Sequence, residues 1–97
     1  MTTLRIEHAI TDYATWREAF DRGAPFRESA GVKQYTIRQP VDDAAYVLID
    51  LEFDTVEQAG QLLALLKENV WSIPANSPAL VGHPKTAILQ TVDQASM

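Results

Sequence analysis

The sequence predicts an α+β domain in which four antiparallel strands form one sheet and helices cover a single face of it. Two observations lead to this fold class: the order strand–helix–strand occurs twice along the chain, and an aspartate stands before each helix. Two such units placed side by side form a split βαβ arrangement. Since the composition does not shift along the 97 residues, we expect one domain over residues 1–97, with residues 93–97 as a frayed tail.

The first strand is predicted from the alternation of apolar and polar residues between Leu4 and Ile10. Period two places Leu4, Ile6 and His8 on one face of this strand, which we assign to the helices. Asp12 follows as an N-cap, because its carboxylate can accept a hydrogen bond from a free amide of the first helical turn.

The first helix carries an aromatic stripe at positions i, i+3 and i+7, formed by Tyr13, Trp16 and Phe20. Its solvated side carries two i, i+4 ion pairs, Arg17–Asp21 and Glu18–Arg22. Gly23 and Pro25 interrupt or kink the helix, and Gly31 ends its last turn as a C′ residue. The alternating stretch from Val32 to Gln39 predicts the second strand.

The second unit begins after a turn at Pro40 with the stretch from Tyr46 to Phe53, in which every second residue is apolar. This is the strongest strand pattern in the chain, so we expect a central strand. Asp54 and Glu57 predict a capping box at the start of the next helix. The buried face of that helix is expected to comprise Val56, Ala59, Leu62, Leu63 and Leu66. The order of elements corresponds to the ferredoxin-like topology.

An irregular segment connects the second helix to the last strand, which is predicted from Lys85 to Val92. The segment carries Trp71 and three prolines, Pro74, Pro78 and Pro84. In this topology the connection crosses the end of the sheet. We therefore hypothesise that the segment forms the wall of a pocket between sheet and helices, with His8 as the polar group inside.

Composition excludes several classes of function. The net charge of −5 and the absence of a Lys/Arg stripe disfavour nucleic acid as a partner. The leucine-rich run from Leu62 to Leu66 is far shorter than the ~20 residues that span a bilayer, and the N-terminus has no signal-peptide pattern. The chain has no cysteine, so disulfides and thiolate chemistry are excluded. We expect a cytoplasmic protein that does not bind membranes.

The sheet face turned away from the helices has mixed chemistry. The third strand would place Tyr46, Leu48, Asp50 and Glu52 there, and the first strand would add Arg5 and Glu7. The second strand would add either Gln34, Thr36 and Arg38, or Lys33, Tyr35 and Ile37. This face is either solvated or paired with its copy across a two-fold axis, with arginine opposite a carboxylate.

Two motifs carry a resemblance to a known family: a D-Y-x-x-W-x-x-x-F helix from Asp12 to Phe20, and an L-E-F-D strand-to-helix junction from Leu51 to Asp54. With these motifs, nearly the whole chain resembles the dimeric α+β barrel superfamily, which includes the antibiotic biosynthesis monooxygenase-like proteins. Small actinobacterial proteins described as cyclases or monooxygenases are especially similar. The resemblance implies a homodimer in which two sheets join face to face, and a pocket between sheet and helices.

His8 and His83 are the candidate acid–base residues, because imidazole titrates near neutral pH. For His8 the alternative is a core histidine bonded to a backbone carbonyl; pocket histidines of related polyketide cyclases favour catalysis. His83, between Gly82 and Pro84, is expected on a loop, where an exposed histidine without a function is the simpler interpretation. Two histidines without matched spacing do not form a metal site, since catalytic zinc takes three protein ligands.

Aromatic side chains are the candidate substrate-binding residues. The stripe of Tyr13, Trp16 and Phe20 belongs mainly to the core, and its members, together with Trp71, are expected to line a pocket for a small hydrophobic or aromatic ligand. Haem-degrading members of the superfamily also hold a tryptophan after the second helix. This chain lacks their first-strand asparagine, and His83 lies between glycine and proline, so we expect no cofactor.

Two functions remain open from the sequence. The first is a cofactor-independent monooxygenase or cyclase acting on an aromatic, polyketide-like molecule. The oxygenase would hold the substrate anion for reaction with oxygen, and in the cyclase His8 would remove a proton alpha to a carbonyl. The second is a non-catalytic dimeric module for ligand binding or assembly, which the small inventory of acid–base residues favours.

Overall fold

The computed structural model describes residues 1–97. The strands are β1 (Thr2–Ile10), β2 (Gln34–Arg38), β3 (Tyr46–Phe53) and β4 (Leu80–Gln90), and the helices are α1 (Tyr13–Arg22), α2 (Ala24–Ala30) and α3 (Val56–Asn69). A short 3₁₀ turn spans Pro74–Asn76. The strands form one sheet in the order β2-β3-β1-β4, and every neighbouring pair is antiparallel. The predicted fold class and topology are confirmed.

The core lies on the helix-covered face of the sheet. Alternate residues of β1 and β3 are buried there, as period two predicted, and α3 contributes Ala59 and Leu62. The fully buried side chains include Phe53, Leu4, Leu62 and Val47. Val56, which the sequence placed on the buried face of α3, is instead 40% exposed, because it stands in the first turn at the rim of the core.

The broken first helix forms as its sequence predicts. Asp12 caps α1, its Oδ1 accepting a hydrogen bond of 2.8 Å from the Thr15 amide. Gly23 separates α1 from α2, and Gly31 ends α2 with φ of +94°, a conformation that glycine adopts without a Cβ clash. Arg17 pairs with Asp21 at 3.0 Å. The predicted Glu18–Arg22 pair is absent, and Arg22 is exposed.

The N-cap of α3 is Thr55, so the prediction of an Asp54–Glu57 capping box is wrong by one position. The Thr55 hydroxyl accepts a hydrogen bond from the Gln58 amide, and the Gln58 side chain accepts one from the Thr55 amide. Asp54 does not cap the helix; its Oδ2 lies 3.6 Å from Nζ of Lys33, the residue before β2. The reciprocal geometry of a capping box is therefore present with different residues.

The last strand starts at Leu80, five residues earlier than predicted. Val81 pairs with Ala9 and Lys85 with Glu7, so three residues of β4 bulge opposite His8. Gly82, with φ of +73°, allows the bulge, and Pro84 is tolerated because β4 is an edge strand. His83 therefore lies within the bulge of a strand and not on a loop before it.

The register of β2 decides which of its faces meets the helices. Thr36 pairs with Asp50, so Gln34, Thr36 and Arg38 share the face away from the helices. We call this side of the sheet, which also carries Arg5, Asp50 and Leu89, the open face. Tyr35 and Ile37 point toward the helices.

No helix of the structure has the length and apolar character needed to cross a membrane.

Candidate functional site

A cavity of about 570 Å³ lies between the sheet and the helices. Fourteen of its 22 lining residues are hydrophobic, so the space suits an apolar molecule with few polar contacts. The sheet contributes Ile6, His8, Ile49 and Leu51. The helices contribute Trp16, Phe20, Leu62 and Leu66, among others.

The segment between α3 and β4 closes one side of this cavity. Val70, Trp71 and residues 75–80 all line it. Hydrogen bonds tie the segment to the end of α3: the Trp71 amide donates to Leu66 at 2.8 Å, and the Asn76 side chain donates to the Asn69 carbonyl at 2.7 Å. Pro74 and the 3₁₀ turn restrict the backbone further. Trp71 is therefore held at the cavity by local bonding.

Aromatic rings form a continuous row along the helix side of the cavity. The ring centroids of His8 and Trp16 are 6.3 Å apart, and those of Trp16 and Phe20 are stacked at 5.1 Å. Tyr13 packs against Trp16 from outside, with a centroid distance of 5.8 Å, and does not line the cavity. The structure thus brings together His8, Trp16, Phe20 and Trp71 and leaves Tyr13 at the surface.

His8 is only 5% exposed and has one protein hydrogen-bond partner. Its Nδ1 lies 2.9 Å from the carbonyl oxygen of Ala9. Because a carbonyl only accepts, Nδ1 must carry the proton, and Nε2 of the neutral ring holds a free lone pair. Burial lowers the pKa of His8 below its ordinary value of 6.5, so the imidazole is neutral at pH 7.

The Nε2 atom of His8 is accessible. No buried side-chain nitrogen or oxygen lacks a hydrogen-bond partner in this structure, and Nε2 has none within the protein. The atom is therefore not fully enclosed by protein, and His8 is one of the residues that line the cavity. A neutral imidazole with its free nitrogen on an apolar cavity has the form of a general base.

His83 lies apart from this constellation. It is exposed in the β4 bulge and does not line the cavity. No three His, Cys, Asp or Glu side chains come together in a group that could hold a metal ion.

Five polar lining residues were missed by the sequence reasoning: Arg22, Arg27, Asn69, Asn76 and Ser77. Arg27 is half-buried, with its guanidinium 3.6 Å from the centroid of the Phe20 ring. Its spacing of seven residues from Phe20 repeats the helical stripe, but the break at Gly23 obscures that signal. A stripe continued across the break would have pointed to Arg27.

Comparison with known proteins was made at the level of both sequence and structure. No protein-family model and no curated protein sequence matches the chain. Among solved structures, SnoaB, a cofactor-independent oxygenase from Streptomyces nogalater, superimposes with a TM-score of 0.70 at 10% identity, over 96% of this chain and 94% of its own. A dimeric ferredoxin-like protein from an uncultured marine organism matches with a TM-score of 0.69 at 12% identity, over 97% of both chains. The chain has the ferredoxin-like fold.

A third similar structure is a candidate antibiotic biosynthesis monooxygenase from Deinococcus radiodurans, with a TM-score of 0.63 at 11% identity, over 100% of this chain and 98% of its own. These neighbours include the kinds of protein that the sequence motifs resemble, so the resemblance is confirmed at the level of fold. At 10–12% identity the likeness defines the fold alone. The function has to be argued from the cavity.

Proposed function

We propose that the protein is a homodimeric, cofactor-independent monooxygenase that acts on an aromatic, polyketide-like molecule in the cavity between sheet and helices. The observation that carries the proposal is the free Nε2 of His8 at an apolar cavity with an aromatic wall. The fold shared with the oxygenase SnoaB supports the same reaction class by analogy.

The dimensions of the cavity agree with such a substrate. Ligand pockets commonly measure about 300–1,000 Å³, and about 570 Å³ accommodates a fused tricyclic ring system. Flat aromatic molecules can lie against Trp16 and Phe20, whose rings are inclined by only 26° to each other. Trp71, in the connection between α3 and β4, also lines the cavity.

The chemistry assigned to His8 is proton removal. Nε2 takes a proton from a carbon activated by a conjugated carbonyl, and the resulting carbanion forms a C–O bond with molecular oxygen. After the peroxide takes up a proton, loss of water leaves a ketone. A CH₂ group and O₂ thus become C=O and H₂O, with oxygen as the oxidant. A neutral, desolvated imidazole is suited to the first step.

The dimer is proposed from the open face and from the neighbours described as dimeric. The centre of that face holds Asp50, which accepts bonds of 2.8 Å from Nε and Nη2 of Arg5 and one of 3.2 Å from Arg38. Leu89 is 42% exposed beside this network. A second copy would cover both the ion network and the apolar side chains around it.

The alternative of a non-catalytic dimeric binding module is supported by a specific observation. His8 has the backbone hydrogen bond of an ordinary core histidine, and no Asp, Glu, Lys or Tyr side chain lines the cavity as a second acid–base group. A protein that binds its ligand without converting it would need no more than this.

The test uses anthrone, a tricyclic ketone with an activated CH₂ group, in an oxygen electrode at pH 7. The protein should consume one O₂ for each anthraquinone formed, above the uncatalysed rate. His8→Gln should reduce the rate by about 10²–10⁴-fold, the usual contribution of a general base. Lys67→Gln, an exposed change on α3, is the matched control.

Each result assigns the function differently. Binding of anthrone by fluorescence titration without oxygen uptake would favour the non-catalytic module. Equal activity of wild type and His8→Gln would exclude His8 as the base, and an equal loss in His83→Gln would argue that neither histidine acts specifically. Absence of binding would reject the cavity as a site for polycyclic aromatic molecules.

A further inference from the structure

The charges around the cavity differ from those of the chain as a whole. The chain has 13 acidic and 8 basic residues, yet no carboxylate lines the cavity, whereas two arginines do, Arg22 and Arg27. The other charged or titratable lining group is His8, which is neutral at pH 7 because burial lowers its pKa. The side chains that carry a charge at this cavity are therefore positive, although the chain as a whole is acidic.

Ion pairing divides the five arginines in the same way. Arg5 and Arg38 both bind Asp50, and Arg17 binds Asp21, with N–O distances between 2.8 and 3.2 Å. Arg22 and Arg27 make no ion pair. Each arginine outside the cavity thus has an acidic partner within the chain, shared in the case of Arg5 and Arg38, whereas the two that line the cavity have no ion-pair partner.

The position of Arg27 is defined by its contacts. Its Nη1 donates a hydrogen bond of 2.6 Å to the carbonyl oxygen of Phe20, and the guanidinium lies over the Phe20 ring. The nearby Asp21 carboxylate is held by Arg17 at 3.0 Å, and Arg17 also donates to the Tyr35 hydroxyl. Asp21 attracts Arg27 through space but makes no ion pair with it.

Arg27 therefore combines a fixed position with unused donors. A guanidinium has five N–H groups and stays charged at neutral pH, and one of these groups bonds to Phe20. Burying a cation without an ion-pair partner is costly, and the Phe20 carbonyl and ring offset this cost only in part, so an anion that binds here is favoured. The planar fork matches a carboxylate or another oxyacid group.

We propose that Arg27, assisted by Arg22, selects ligands that are aromatic acids, by binding their anionic group at the edge of the cavity. The rings would then lie along Phe20 and Trp16, toward His8, in the order that the ring contacts define. This inference rests on the proposed function in one respect, the binding of an aromatic molecule in this cavity. It adds that the ligand is negatively charged and that Arg27 binds the negative group.

The experiment compares two dyes with the same ring system and different charge. The anionic probe is 1-anilinonaphthalene-8-sulfonate, and the neutral probe is N-phenyl-1-naphthylamine, which lacks the sulfonate. Both are titrated by fluorescence, and competition between them shows whether they share one site. The wild type should bind the anionic dye more tightly than the neutral dye.

Arg27→Gln should weaken binding of the anionic dye about tenfold or more, as expected for the loss of a charged hydrogen bond, and leave the neutral dye within about twofold. Arg22→Gln should have a smaller effect in the same direction. Arg27→Lys should restore part of the affinity, since it keeps the charge without the fork. Lys67→Gln controls for net charge.

The outcomes separate this inference from the proposed function. If both dyes bind competitively but Arg27→Gln and Lys67→Gln affect them equally, the anion selectivity is wrong and the aromatic cavity stands. If neither dye binds the wild type, both proposals fail. Arg22→Gln provides an independent reading should Arg27→Gln lose its fold, because the Arg22 side chain is exposed.

Discussion

The chemistry proposed for His8 depends on its place in β1. Strand alternation puts its ring on the same face as Leu4 and Ile6, in the layer that the helices cover. There the ring contacts Trp16 on one side and lines the cavity. Burial and access to open space are thus combined at one residue.

The lowered pKa of His8 predicts a pH dependence of stability. The unfolded chain takes up a proton near pH 6.5, and the folded chain does so at lower pH. The free energy of unfolding should therefore fall as the pH is lowered from 7 through about 6.5 and down to the folded pKa, by about 1.4 kcal/mol for each unit of depression. Urea unfolding between pH 5 and 8 measures this slope.

His8→Gln should flatten the pH dependence in that window, since the titrating group is removed. His83→Gln is the matched control, because it removes an exposed histidine and leaves His8 in place. If the slope survives in His8→Gln and disappears in His83→Gln, the buried histidine is not its source.

Asp50 is the second residue whose environment permits a prediction. The bidentate bond from Arg5, with support from Arg38, lowers the pKa of this carboxyl below its ordinary value. Asp50→Ala should destabilise the protein by about 1–2 kcal/mol, because it leaves two guanidinium groups without their acceptor. Thermal unfolding at pH 7 checks the loss.

The direction of the pH dependence follows from the ion pair between Asp50 and Arg5. The contribution of Asp50 is present above the unfolded pKa of about 3.9 and is lost as the pH falls through the lower folded value. The difference between wild type and Asp50→Ala should therefore shrink below about pH 4. A difference that stays constant down to pH 2 would contradict the ion-pair explanation.

At the scale of elements, two glycines have opposite requirements. Gly31 ends α2 with φ of +94°, and a Cβ there would lie 2.6 Å from Nε2 of Gln58. A Cβ added to Gly60, inside α3, would meet no atom within 4 Å beyond the backbone of its own helix. Gly31→Ala should destabilise the protein by about 1–2 kcal/mol. Gly60→Ala should stabilise it by about 0.5–1 kcal/mol, because alanine restricts the unfolded chain. Chemical denaturation of both variants provides the comparison.

The start of α3 distinguishes two neighbouring residues in the same way. Thr55→Ala removes the hydroxyl that caps the helix and should cost about 1 kcal/mol. Asp54→Ala removes only an exposed pair with Lys33, which is worth about 0.5 kcal/mol or less. Comparison of the denaturant midpoints of the two variants shows which residue caps α3. A larger loss for Asp54→Ala would restore the capping box that the sequence predicted.

At the scale of the whole molecule, the helices cover one side of the sheet and leave the other uncovered. Only 14 of 97 residues are buried in the single chain, a small core for independent stability. The open face carries a buried carboxylate at its centre and the exposed Leu89 on its edge strand. Burial of Leu89 favours association with a second copy, and the Asp50 ion pairs keep the charges of this face paired.

Sedimentation equilibrium should therefore give the mass of two chains, about twice 10.8 kDa. Leu89→Glu places a charge on the open face and should shift the equilibrium toward monomer. Leu65→Glu, a matched change at an exposed position of α3, should leave the dimer intact. A monomeric wild type at micromolar concentration, or equal effects of the two variants, would argue against the sheet-to-sheet dimer.

The sequence by itself determined the features that depend on residues a few positions apart. The alternation in β1 and β3, the Asp12 cap, the break at Gly23 and the end at Gly31 were all predicted, because periodicity and capping are local. Of the predicted cavity residues, His8, Trp16 and Phe20 lie on such periodic elements, and Trp71 follows directly after one.

Only the tertiary structure decided the features that depend on partners far apart in the chain. Arg5 meets Asp50 across 45 positions, Lys33 pairs with Asp54 before α3, and the pairing of β4 with β1 places His83 in a bulge. The two unpaired arginines at the cavity likewise follow from the packing of helices on the sheet. Such contacts depend on strand register and on packing between layers, and no local pattern specifies either of them.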